Sequence, residues 1–146
     1  MFDQDMLASI FQKGKKQFGL EDLSALDSVF APDYVCHHRL NPVLGPDGVK
    51  QWWNAYRNAF PDLEFSIGEV IMAGDKIIVR WAVSGTQQNP WMGVPATRKY
   101  ATLTGITIFR MANDKIVESW DEMDLFSLLY QLGQFTDPQH PTVNAN

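Results

Sequence analysis

The chain has 146 residues, 45% of them hydrophobic and 20% charged, with a formal net charge of -5. That length suits one domain with a sizeable core, and the scattered lysines and arginines argue against a nucleic-acid surface. The single cysteine, Cys36, excludes an internal disulfide, and no Cys/His spacing suggests a metal site.

The N-terminus, MFDQDMLASIF, carries early acids and no long apolar run. We therefore expect no secretory signal, no membrane span and a cytoplasmic protein. Met6, Leu7, Ile10 and Phe11, then Leu20, Leu23, Leu26, Val29 and Phe30, recur at helical spacing. They predict a helix bent near Gly19 and ending before Pro32. Residues 33–39 read as a short extended piece before the turn signals Asn41-Pro42 and Gly45-Pro46. Asp47 is placed to cap a helix over about residues 48–60, whose face carries Val49, Trp52, Trp53, Tyr56 and Phe60.

Four strands follow, over roughly 63–73, 76–86, 98–111 and 115–123, with turns at Gly74-Asp75 and Asn113-Asp114. A longer loop, Gln87 to Thr97, separates the middle pair. A last helix, about 124–132, starts at a capping Asp124 and ends at Gly133. Residues 134–146 form a polar tail. Helices, then an antiparallel meander, then a closing helix predict an α+β fold in one domain, 1–146, with its core in about 5–133. Strong curvature would make the sheet a cone around a cavity.

In the last hairpin, a three-residue loop at 113–115 sets Arg110 near Glu118, Ile108 near Trp120 and Thr107 near Asp121, pairing opposite charges. One face then holds Leu103, Thr107, Phe109, Ser119, Asp121 and Met123, a pocket wall with a polar centre. The other shows Tyr100, Ile106, Ile108 and Trp120, apolar enough to suggest a homodimer through the convex face of the sheet.

Asp121 is the leading catalytic candidate, because an acid among apolar side chains can give and take a proton. Its structural alternative is a strand-end acid in water or paired with Arg80 or Arg98. His37 and His38 follow the first strand, so one should point inward, and His37 is taken as a second catalytic candidate. A rim histidine is the competing reading. The Trp52 and Tyr56 face is core that could also wall a flat ligand of several rings, with Trp91 and Met92 as a lid. Cys36 reads as structural.

Five motifs sharpen this reading: GPDGV at 45–49, FPDL at 60–63, MGVPAT at 92–97, GITIFRMANDKIVESWDEMD at 105–124 and LLYQLG at 128–133. Together, over about residues 5–133, they resemble the SnoaL-like polyketide cyclases, or ester cyclases, of the nuclear transport factor 2-like (cystatin-like) α+β-barrel class. The resemblance implies intramolecular aldol closure of a polyketide ester, without metal or cofactor, on a small hydrophobic carbonyl ligand. It implies that the acid of the W-D pair, here Asp121 after Trp120, is the general acid/base. The family's assisting histidines fall at Thr107 and Ser119, so both imidazoles are absent here. A non-catalytic binding module of the same fold is the alternative. Epoxide hydrolysis, which in related folds needs two acids bridged by an arginine, ranks lower. The strand IIVRWAV supplies Arg80 but puts Ala82 where a second inward acid would be wanted.

Overall fold

The computed structural model describes residues 26–38 and 42–135. Most of the expected N-terminal helix, and the tail past residue 135, lie outside the described residues. The elements in order are α1 (Leu26–Val29), β1 (Phe30–His37), β2 (Val43–Leu44), α2 (Gly45–Ala59), β3 (Glu64–Ala73), β4 (Lys76–Thr86), β5 (Tyr100–Ala112), β6 (Lys115–Met123) and α3 (Leu125–Gln131).

The first boundary differs from the expectation. The helix stops at Val29 and the chain is extended from Phe30, so Pro32 lies inside a strand. The register of β1 shifts between Phe30 and Val35, and an irregularity there accommodates a residue with no N–H to give to the ladder. Helix α2 also begins earlier than expected. Gly45 turns the chain at φ 65°, Pro46 enters the first turn where its missing N–H costs nothing, and Leu44 holds the cap position without a side-chain bond. Asp47 is therefore a first-turn acid and not the cap. It suits the positive end of the helix and lies 3.6 Å from Lys50. Pro61 follows the cap residue Phe60, whose N–H reaches Tyr56 O at 2.9 Å.

Six strands form one sheet in the order β2-β1-β6-β5-β4-β3. The meander β3 to β6 is antiparallel as expected, but β1 lies parallel to β6, so the sheet is mixed. The long connection that a parallel neighbour requires is the whole segment from β2 through α2 and the strands β3 to β5. In β4 the apolar positions Ile77, Val79, Trp81 and Val83 are buried while Arg80 is exposed. Arg80 and Ala82 thus share the outer phase of the strand, and Trp81 takes the inward place between them. In α2, Val49, Trp53, Tyr56 and Ala59 turn onto the inner face of the sheet and join Phe60 in the core. Helix α3 packs on β5 and places Leu128 in that core. Its cap is Asp124, whose Oδ1 accepts from Ser127 N at 2.9 Å, as expected.

The last hairpin has the expected register by a different route. Arg110 faces Glu118, Ile108 faces Trp120 and Thr107 faces Asp121. The loop itself has two residues, Asn113 and Asp114, both left-handed at φ 50° and 61°, and Ala112 pairs with Lys115. One extra residue at Val117 then shifts the ladder. The outer face carries the ion pair Arg110–Glu118 (2.8 Å) and a His37–Glu118 hydrogen bond (2.7 Å), beside exposed Tyr100 and Ile106. Among the described residues, no helix is long and apolar enough to cross a membrane.

Candidate active site

Side chains alternate along a strand, so β6 sends Ser119, Asp121 and Met123 to the inner face and β5 sends Thr107 and Phe109 beside them. The parallel register Cys36–Ser119 adds β1 to this wall, with Tyr34, Cys36 and His38 in the inward phase. Trp81, Phe65, Trp52 and Trp53 close the other sides. The result is an inner chamber of about 110 Å³ with Asp121 on its wall. A second hollow of about 320 Å³ lies beside it, lined by Trp91, Met92, Leu103 and Leu125, and shares His38, Val43, Trp52 and Met123 with the chamber. The two hollows adjoin at those four shared residues, the first forming a chamber at Asp121 and the second a vestibule beside it.

Asp121 is held by a thiol. Cys36 Sγ donates to Asp121 Oδ2 at 3.0 Å, across two strands that are 85 residues apart in sequence. Cys36 is only 4% exposed, and burial, followed by the Asp121 charge, pushes its thiol up to about 12. At neutral pH the sulfur keeps its proton and acts as a donor, not a nucleophile. Next to it, Tyr34 Oη and Ser119 Oγ share a hydrogen bond of 2.7 Å. Burial, with the acidic neighbours Cys36 and Asp121, holds the Tyr34 phenol well above its ordinary range. Trp81 Nε1 donates to Thr107 Oγ1 at 2.8 Å. Among the described residues no buried side-chain nitrogen or oxygen is left without a partner, as buried polar groups require.

Of the residues expected from sequence, Asp121, Thr107, Phe109, Ser119, Met123 and Trp52 line the chamber, and Trp91, Met92 and Leu103 line the vestibule. Two are placed elsewhere. His37 pairs in register with Trp120 and stacks on its ring at 5.4 Å on the outer face, with Nε2 on Glu118. It does not reach the pocket, and His38, one residue on, faces both hollows. Arg110, then His37, hold the Glu118 carboxyl below its ordinary range. Tyr56 is 2% exposed and lines neither hollow. Its ring stacks between Trp52 (5.4 Å) and Phe60 (5.1 Å) and meets Trp91 edge-on at 5.3 Å, so it supports two wall residues from behind.

The loop after β4 is more ordered than a free lid. Gln87 is fully buried, and its amide bonds Val94 O, Thr97 N and Thr97 Oγ1. Trp91 and Val94 exchange backbone bonds around Met92 and Gly93, at φ 48° and 79°. This small hairpin fixes Trp91 against Tyr56 and leaves Met92, 55% exposed, over the vestibule. Sequence reasoning missed Tyr34, Trp81 and the role of Cys36, and of the two adjacent histidines it chose His37 where His38 is the one on the pocket. The alternation Tyr34, Cys36, His38 was visible, but nothing local announces that β1 lies beside β6. Among the described residues, no group of three or more His, Cys, Asp or Glu could hold a metal ion.

Comparison with known proteins gives a consistent picture. The profile of the family described as SnoaL-like polyketide cyclase matches residues 12–132. Among solved structures, TsrD from Streptomyces laurentii is 25% identical with a TM-score of 0.85, over 92% of this chain and 100% of that one. AclR from Streptomyces galilaeus, a proposed hydroxylase, is 27% identical with a TM-score of 0.79, over 92% and 85%. IdmH from Streptomyces antibioticus, a proposed polyketide cyclase, is 26% identical with a TM-score of 0.72, over 86% and 97%. No curated protein sequence matches.

Proposed function

This chain belongs to the SnoaL-like polyketide cyclase family, and on that premise we propose that it performs acid/base chemistry on a hydrophobic carbonyl compound. The observation that carries the reading is a carboxylate, Asp121, on the wall of a largely apolar chamber with its Oδ2 held by the Cys36 thiol. A carbonyl ligand reaching the chamber presents its α-carbon to Asp121, which takes the proton while the electron pair moves onto the carbonyl oxygen. The hydroxyls of Tyr34, Ser119 and Thr107 are the donors available to that developing enolate oxygen. Tyr34 and Ser119 share one bond between two hydroxyl hydrogens, and Thr107 accepts from Trp81, so hydrogens remain to be donated. The enolate carbon then attacks a second carbonyl of the same molecule, and protonated Asp121 returns its proton to the new alkoxide. His38, which lines both hollows, takes the assisting place expected of His37.

The test uses phenylacetone in deuterated water, following loss of its benzylic α-proton signal by NMR. Catalysed exchange that disappears in Asp121→Asn, with the fold kept by circular dichroism, is the expected result. Equal exchange in both proteins would remove Asp121 from the chemistry. A binding module for a small apolar ligand is the second reading, favoured by the pairing of Thr107 and Ser119 with protein groups. It predicts binding of the ketone without exchange. We also propose that a second copy covers the outer sheet face around Tyr100 and Ile106. Sedimentation showing only monomer at high micromolar concentration would refute that.

A further inference from the structure

Trp81 and Gly105 are directly opposite each other on β4 and β5. The indole of Trp81 lies across Gly105 so closely that a Cβ there would overlap its Cζ2 atom. The ring reaches on to Thr107, its Nε1 bonded to Oγ1 at 2.8 Å, and stacks on Phe65 with centroids 6.4 Å apart. A glycine without a side chain thus lets the largest side chain of all fill the inner end of the cone, and the hydrogen bond fixes it there. What is left beside Asp121 is about 110 Å³. An apolar cavity of roughly 150 Å³ holds one benzene. The vestibule, at about 320 Å³, is of ordinary ligand-pocket size.

We propose that Trp81, seated on Gly105, is a specificity-determining residue that restricts the reacting end of the substrate to an open-chain carbonyl group. The substrate class is an elongated ketone or ester whose narrow acyl end passes between His38, Trp52 and Met123 to reach Asp121. Its bulky or ring-bearing part stays in the vestibule. A carbonyl built into a fused ring system cannot bring its α-carbon to Asp121 without displacing the indole. This inference rests on the acid/base reading of the site and adds the shape of what that site accepts.

Two ketones with the same benzylic α-protons separate the cases: phenylacetone, whose carbonyl is in an open chain, and 2-tetralone, whose carbonyl is in a ring fused to the aromatic. Exchange rates are taken relative to each ketone's uncatalysed rate. The wild-type protein should prefer phenylacetone by at least tenfold, and Trp81→Leu should bring that ratio below threefold, chiefly by accelerating 2-tetralone. Trp81→Phe, which keeps an aromatic filler and loses only part of its width, should fall between them and serves if the leucine variant does not fold. A wild-type ratio below threefold, or a ratio unmoved by both substitutions, overturns the proposal. If neither ketone exchanges, the acid/base reading has failed. The size limit is then read from the affinities of the same ketones by calorimetry, with the same ratios deciding it.

Discussion

Replacing Asp121 by Asn should make a buried cysteine more reactive. Cys36 Sγ lies 3.0 Å from Asp121 Oδ2, and its thiol is pushed from 9.0 up to about 12, by burial first and by the Asp121 charge next. Three units make the thiolate about a thousandfold scarcer at pH 8 than in an ordinary thiol, a loss that the greater nucleophilicity of a more basic thiolate offsets only in part. Burial adds an access barrier, so the rate alone does not separate the two effects; its pH dependence does. In the wild-type protein the log of the iodoacetamide labelling rate, read by mass spectrometry, should climb with unit slope through pH 10. In the urea-unfolded chain it should flatten near 9. Asp121→Asn keeps the size of the side chain and removes the negative charge, so labelling should accelerate by about tenfold or more. It should remain slower than in the unfolded chain because burial, the largest cause, is unchanged. The sign also fixes a stability effect. The unfolded chain releases this proton first, so the contribution of Cys36 is complete below pH 9 and is lost as pH rises from 9 towards about 12. A wild-type rate that flattens near pH 9, or an Asp121→Asn protein that labels no faster, would sink the claim that thiol and carboxylate share this site.

The two adjacent histidines should part company. His37→Ala loses an outer-face bond to Glu118 and a stack on Trp120, so ketone exchange should stay within twofold and stability should fall by no more than about 1 kcal/mol. His38→Ala should slow exchange by on the order of a hundredfold if its imidazole assists proton transfer. The reverse pattern would reinstate His37. At the last hairpin, Asp114→Gly should raise the melting temperature by relieving a left-handed residue at φ 61°, a gain of about 0.5–1 kcal/mol in a turn that favours Asn-Gly. A lower melting temperature would show that the Asp114 side chain contributes more than its backbone costs.

The strands from 64 to 123 were legible because alternation and turn residues agree: Gly74 and Asn113-Asp114 interrupt period-two runs, and charge pairing of Arg110 with Glu118 selects one register. That register survived an error in the loop, since the extra residue at Val117 restores what the shorter turn removes. Within β5 and β6 the same alternation put Thr107, Phe109, Ser119, Asp121 and Met123 on one face, all of which line the chamber. The β4 phase was legible too and was misjudged. A charge at Arg80 between Val79 and Trp81 belongs outside, which turns the indole inward and makes it, not Ala82, the neighbour of Gly105. What no local pattern contains is the parallel pairing of β1 with β6. It spans more than 80 residues and has no turn to announce it, yet it decides which of His37 and His38 faces in and places Cys36 against Asp121. The missing imidazoles at Thr107 and Ser119 have the same resolution. Where the resemblance would put those histidines, the chain has hydroxyls bonded to Trp81 and Tyr34, so titrating groups are replaced there by neutral hydroxyls that donate and accept hydrogen bonds. On the proposed acid/base reading, Asp121, with its Oδ2 held by the Cys36 thiol, carries every proton transfer unless His38 shares it. The pair of histidine variants therefore tests the division of labour as well as the register.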